Sequence, residues 1–169
     1  QKADGWVVAL YDPAAVQQCF AAGIGATLDL TVGGKVDDMH GHPQAVAGRV
    51  RALCDGTFEE HQRRHGGRRY HDQGLTAVIE VNRPAPGKGG LILLNSNRTP
   101  PMSIHELTCA GIVPEQQKIL VAKGAVAPRA AYEPVCQQII EVDTAGATSI
   151  SIPQEQYHLA RQTLYEWNR

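Results

Sequence analysis

The sequence predicts a mixed α/β (α+β) fold, a single domain built on a mixed, partly antiparallel sheet with about three helices. Three observations carry this expectation. Short apolar or alternating runs of strand length recur along the chain. The first half strings such runs together with turn residues between them, whereas the second half alternates strand and helix patterns. At 169 residues and 43% apolar content, the chain suffices for one sizeable core rather than two.

WVVALYD, Trp6 to Asp12, reads as a strand. Asp12-Pro13 opens a helix, with Asp12 as cap and Pro13 at the first helical position. Val16, Cys19 and Phe20 share one face, and Gly23 closes the helix. TLDLTVGG alternates, with Leu28, Leu30 and Val32 on one side and Thr27, Asp29 and Thr31 on the other, as in a half-buried strand. Ala45 to Cys54 forms the next strand, with Arg49 and Arg51 outward, and Asp55-Gly56 marks a turn. EEHQRRHGGRRYHD is polar, with Gly66-Gly67 at its middle, and reads as a hairpin tip. Leu75 to Val81 is a strand, PAPGKGG a loop, and Leu91 to Asn95 a strand buried on both faces. Ser103 to Glu106 forms a capping box, with Glu106 reaching back, Met102 and Leu107 as staple and Gly111 as the stop. Ile119 to Ala122 is a strand, PRAAYEPVCQQ a helix with Pro134 inside it, and Ile139 to Asp143 the last strand. The tail to Arg169 has little periodicity.

Sixteen basic residues against 17 acidic ones argue against disorder and generic nucleic-acid binding. No apolar run approaches the ~20 residues of a membrane helix. Cys19, Cys54, Cys109 and Cys136 show no CxxC spacing and sit in apolar surroundings, as reduced buried cysteines of a cytoplasmic protein do. The chain starts at Gln1 without a methionine or signal-peptide pattern, which is expected of a piece of a longer protein or of a processed one.

Phosphate-loop and dinucleotide patterns fail. Around Gly33-Gly34-Lys35, Asp29 and Val36 occupy positions that need Gly and Ser or Thr, and Leu28 replaces the third glycine after Gly23 and Gly25. Lys35 is a solvated loop lysine or an anion ligand in a glycine-rich bend. His40-Gly41-His42 and the His61/His65 pair are short of a metal set, so no metal site is expected here. Arg63, Arg64, Arg68 and Arg69 make a basic patch, read as a solvated hairpin. Two loops stand out. Asn97, Arg98 and Thr99 follow a buried strand and precede a capped helix, where α/β folds bind ligands or merely cap the strand. KGAVAPRAAYEP, Lys123 to Pro134, sits in the equivalent place. Lys123 ends a strand, Gly124 permits close approach, and Pro128 starts a helix whose free N–H groups attract anions. Arg129 sits at the helix end that cations disfavour, so it serves an anionic ligand or pairs with an acid such as Asp143.

TLDLTVGGK, GRVRALCDG, LNSNRTPP, ILVAKGAVAPRAAYEP and IIEVDTAGATS occur in this order, and together they resemble the C-terminal domain of the MlrC-type (microcystinase C-like) zinc metallopeptidases. The resemblance runs from about Trp6 to the Leu164-Tyr165 tail, nearly the whole chain, and implies that residues 1–169 form one such domain. It implies a bacterial, two-domain, zinc-dependent hydrolase of small peptides or amides. On that reading zinc and its His and acidic ligands belong to an N-terminal domain outside this chain, and the chain alone is inactive. Its partners are that N-terminal domain and a small peptide or amide substrate, with no nucleic acid or membrane and with homo-oligomer formation as a further option. Lys123, Arg129 and the Asn97-Arg98-Thr99 loop carry over as cleft-facing, with Asp143 and Lys35 as further substrate-binding candidates and no catalytic residue assigned. Some relatives have a histidine and an aromatic where Ala127 and Pro128 stand, so that histidine's role does not carry over. The alternative is a non-catalytic interaction or oligomerisation module.

Overall fold

A computed structural model of the chain describes residues 3–38, 40–62, 64, 67–82 and 88–144. Its elements are β1 (Trp6–Tyr11), α1 (Pro13–Ala22), β2 (Thr27–Val32), β3 (Gln44–Cys54), β4 (Thr57–Glu59), β5 (Tyr70–Asp72), β6 (Thr76–Val81), β7 (Gly90–Asn95), α2 (His105–Thr108), β8 (Ile119–Val121) and α3 (Arg129–Tyr132). Six strands form one sheet in the order β2-β3-β6-β7-β1-β8, while β4 and β5 pair apart from it. Neighbours from β2 to β7 run antiparallel, and β1 lies between β7 and β8, parallel to both. The mixed sheet in a single domain is the predicted one.

β7 is buried along its whole length because the sheet is covered on both faces. Ile92 and Leu94 pack with Val16 and Cys19 of α1 and with Leu30, Val50 and Ile79. Leu91 and Leu93 pack on the other face with Leu107, Ile112, Ala131 and Tyr132. Burial of each such side chain contributes roughly 1.5–3 kcal/mol.

At the start of α1, Asp12 caps Ala15 N–H at 3.0 Å with Pro13 in the first turn, and Gly23 (φ +83°) ends the helix, as the sequence predicts. Asp12 is almost fully buried and does more than cap. Three strands separate β2 from β1 in the sheet, yet sheet twist returns the end of β2 to Asp12. There Gly33 N–H donates at 3.0 Å and Lys35 Nζ at 2.7 Å.

Three expectations are corrected. Ile139 to Asp143 is not a strand; the described sheet ends at β8, and Ile140 and Val142 are 74% and 73% exposed. An apolar run becomes a strand only where a neighbour pairs its backbone. The PRAAYEPVCQQ helix is one turn, α3, followed by a 3-10 turn at Glu133–Val135, because Pro134 cannot donate to the α ladder. Lastly, Ser103 Oγ does accept at the start of α2, from His105 N–H at 3.2 Å, but Glu106 does not reach back to it. Its carboxyl points inward instead and accepts a short hydrogen bond from the Tyr132 hydroxyl of α3.

Burial pushes the Glu106 carboxyl up to about 7, although the Tyr132 bond opposes the shift. The folded chain therefore holds a proton at Glu106 that the unfolded chain, titrating near 4.5, releases earlier. This contribution is complete below about pH 4.5 and is lost as pH rises to about 7, roughly 3 kcal/mol in all. Glu106→Gln keeps an acceptor for Tyr132 and should remove that slope; urea unfolding at stepped pH measures it, and equal slopes in both proteins would contradict the assignment. Asp12→Ala should lower the unfolding free energy by about 2–4 kcal/mol, since the cap and the acceptors of Gly33 and Lys35 disappear together. Asp12→Asn, which retains a capping oxygen, should lose clearly less in the same assay.

Candidate functional site

Because β7, β1 and β8 are parallel, their C-terminal ends share one edge of the sheet. That edge carries Asp12 after β1, Ser96 to Thr99 after β7, and Lys123 after β8. The two loops singled out in the sequence meet there. A Cβ on Gly124 would lie 3.3 Å from Pro101 Cγ and 3.0 Å from Pro128 Cγ, so the Lys123 loop rests on the end of the Arg98 loop. Lys123, Asn97 and Arg98 are exposed and Thr99 is half-buried. The Arg98 guanidinium lies over the Tyr11 ring, 5.2 Å from its centroid, which orients the cation while leaving its in-plane N–H groups outward.

The β4–β5 arm forms the other side of this region. Its base is tied to the β7 loop through the backbone: Gln73 N–H to Gly56 C=O at 3.1 Å, Asn97 N–H to Gln73 C=O at 2.9 Å, and Ser96 N–H to Leu75 C=O at 3.1 Å. Gly74 (φ +68°) has no room for a side chain, because a Cβ would stand 2.3 Å from Ser96 Oγ. Buried Gln73 anchors the base to α2 through Glu106 C=O at 3.0 Å. Between arm and loop lies a cleft of about 290 Å³, lined by Glu60, Arg64, Arg68 and Asp72 on one side and Arg98 and Thr99 on the other.

Glu60 stays ionised in this cleft. Burial pushes its carboxyl up, but the Ser103 hydroxyl, Gln62 N–H and the charges of Arg64 and His105 outweigh that and hold it below the usual carboxylate range. Arg64 Nη1 faces Glu60 Oε2 at 3.9 Å, a charge contact without a hydrogen bond. Arg68 and Arg69 are exposed, as in the solvated hairpin the sequence predicts, with Arg69 paired to Glu59 and Arg68 facing the cleft, whereas Arg64 is largely buried. Four arginines beside an acid-rich stretch were the available clue. Arg63, His65 and Gly66 lie outside the described residues.

The remaining candidates sit elsewhere. Lys35 is not free in solvent: it donates to both oxygens of Asp12 and to Thr31 C=O. Arg129 is exposed and pairs with Glu141, with Asp143 close by in sequence. A one-turn α3 offers little helix dipole to an anion at Pro128 and Arg129. His40 binds Asp37 at 2.8 Å. Among the described residues no three His, Cys, Asp or Glu side chains converge as metal ligands. All four cysteines are free, and burial pushes the Cys19 and Cys109 thiols up to about 11, away from thiolate chemistry at neutral pH. No helix among the described residues is long and apolar enough to cross a membrane.

Comparison with known proteins gives this architecture a family. Microcystinase C from a Sphingomonas species is 42% identical over 53 residues, which make up 31% of this chain and 10% of that protein. The crystal structure of a provisionally named metallopeptidase from Mesorhizobium sp. BNC1 matches with a TM-score of 0.75 and 24% identity, over 86% of this chain and 28% of that one. That likeness shows a shared fold, and the chain spans only a small part of either relative. A sequence profile described as MlrC C-terminus matches residues 1–158, nearly the whole chain, and the protein therefore belongs to the MlrC C-terminus family.

Proposed function

We propose that this chain is the substrate-side wall of a longer, metal-dependent hydrolase of peptide or amide bonds. The observation that carries the reading is the meeting of the Arg98 and Lys123 loops at the C-terminal ends of three parallel strands, the usual ligand edge of such sheets. Family membership supports it, as does the metallopeptidase name of the structural neighbour. The partner is an N-terminal domain that closes on this edge. In this reading the metal is zinc, held by that domain. The chain's own groups bind and orient. Arg98 and Lys123 hold anionic substrate groups, Asn97 and Thr99 offer hydrogen bonds, and Pro100, Pro101 and Pro128 keep the loops stiff. Arg129 joins them only by leaving Glu141, so it ranks behind Lys123. Four free cysteines support a reducing compartment, read as the cytoplasm.

A second reading rests on Val126, 78% exposed in the Lys123 loop, and on the equally open Ile140 and Val142: an interaction or oligomerisation module. Light scattering of the chain alone and mixed with its N-terminal domain separates the two. Self-association, together with a fully active N-terminal domain alone, supports the second.

In the full-length enzyme, Lys123→Ala and Arg98→Ala should each lower kcat/KM on a small acidic peptide by about 10- to 100-fold, the loss of one charge-assisted hydrogen bond. The loss should appear mainly as a higher KM. Steady-state kinetics measures both, and unchanged values in both variants would sink the proposal.

A further inference from the structure

We infer that the cleft between the β4–β5 arm and the Arg98 loop is a carboxylate site, sized for an acidic side chain of a peptide and clasped by Arg68 and Arg98 from its two sides. The inference deepens the proposed function, and rests on it for the peptide as the carrier of that carboxylate.

The charge pattern supports this. Three arginines and two carboxylates line the cleft, one net positive charge. Glu60 is balanced by Arg64 and Gln62 N–H, and Asp72 Oδ1 receives Gly74 N–H at 2.7 Å. Arg68 donates through its Nε to Tyr70 C=O at 3.0 Å, and Arg98 meets the Tyr11 ring with its face. Among the described residues neither has a carboxylate partner, so the Nη groups of both forks remain for a ligand.

Size and lining select within anions. A volume of about 290 Å³ lies at the lower bound of ligand pockets and suits a carboxylate on a short stem. Pro100 and Met102 give the methylenes an apolar flank. The neighbouring Asp72 penalises the more highly charged phosphate relative to a carboxylate. The cleft is also preformed, because the backbone bonds of Gln73, Ser96 and Asn97 fix arm and loop together.

The test is a titration of the isotope-labelled chain with glutarate, followed by amide and arginine side-chain NMR. Binding should be saturable in the millimolar range, weaken with salt, and move Arg68, His71, Arg98 and Thr99. Arg68→Gln and Arg98→Gln should each weaken it about 10-fold, whereas Arg69→Gln, which alters the Glu59 pair, should not. The same spectra report whether each variant is folded. Unsaturable shifts, equal loss in Arg69→Gln, or tighter binding of inorganic phosphate than of glutarate would overturn the assignment. Glutarate binding beside unchanged peptide kinetics keeps the site and removes the substrate-wall reading; lost kinetics without glutarate binding does the reverse.

Discussion

The carboxylate of Asp12 is the point on which the rest of the structure depends. It ends the central parallel strand, caps α1, receives Gly33 N–H and pairs with Lys35, while its own N–H bonds Asn95 C=O at 3.0 Å. One buried charge thus ties β1 to α1, to the end of β2 and to the end of β7. Such a charge is tolerable only because every lone pair has a donor. The same bonds place Tyr11 and the Arg98 loop side by side, so the cation that the proposed function uses is oriented by the group that holds the fold.

A second constraint works on the opposite side of the cleft. The arm could swing as a two-stranded ribbon, because such ribbons are marginal alone. Gln73 and Gly74 prevent this. The Gln73 backbone bonds Gly56 and Asn97, Leu75 C=O receives Ser96 N–H, Gly74 leaves no room for a side chain against Ser96, and the Gln73 side chain reaches α2. Behind α2 Glu106 and Tyr132 join the two short helical turns across the core. The cleft therefore inherits its rigidity from buried polar contacts, and its charges are left for a ligand.

Much of this was legible in the chain because the relevant physics is local. Asp12-Pro13 and Gly23 announce both ends of α1; the alternation of Thr27 to Val32 marks one buried face, and the unbroken Leu91 to Asn95 run marks two. The family resemblance was legible too, since five motifs kept their order. What the sequence hid depends on distant partners. Nothing near Lys35 points to an acid 23 residues earlier. Glu106 stands at a capping position but is turned inward by Tyr132, 26 residues on. Ile139 to Val142 has strand composition, and strand formation is decided by a neighbour that composition does not reveal. The arm's arginines look alike in sequence, and only their partners in space, Glu59 for Arg69 and Glu60 for Arg64, tell them apart.

Hydrogen exchange on the full-length enzyme, with and without a non-cleavable acidic peptide, tests the central claim most directly. If the strand-end edge is the substrate wall, the peptide should slow exchange at residues 96–101, 122–128 and 68–72, and leave the outer edge at 139–144 unchanged. Protection confined to 139–144, with the three loops exchanging as before, would contradict the account and mark the chain as an interaction module.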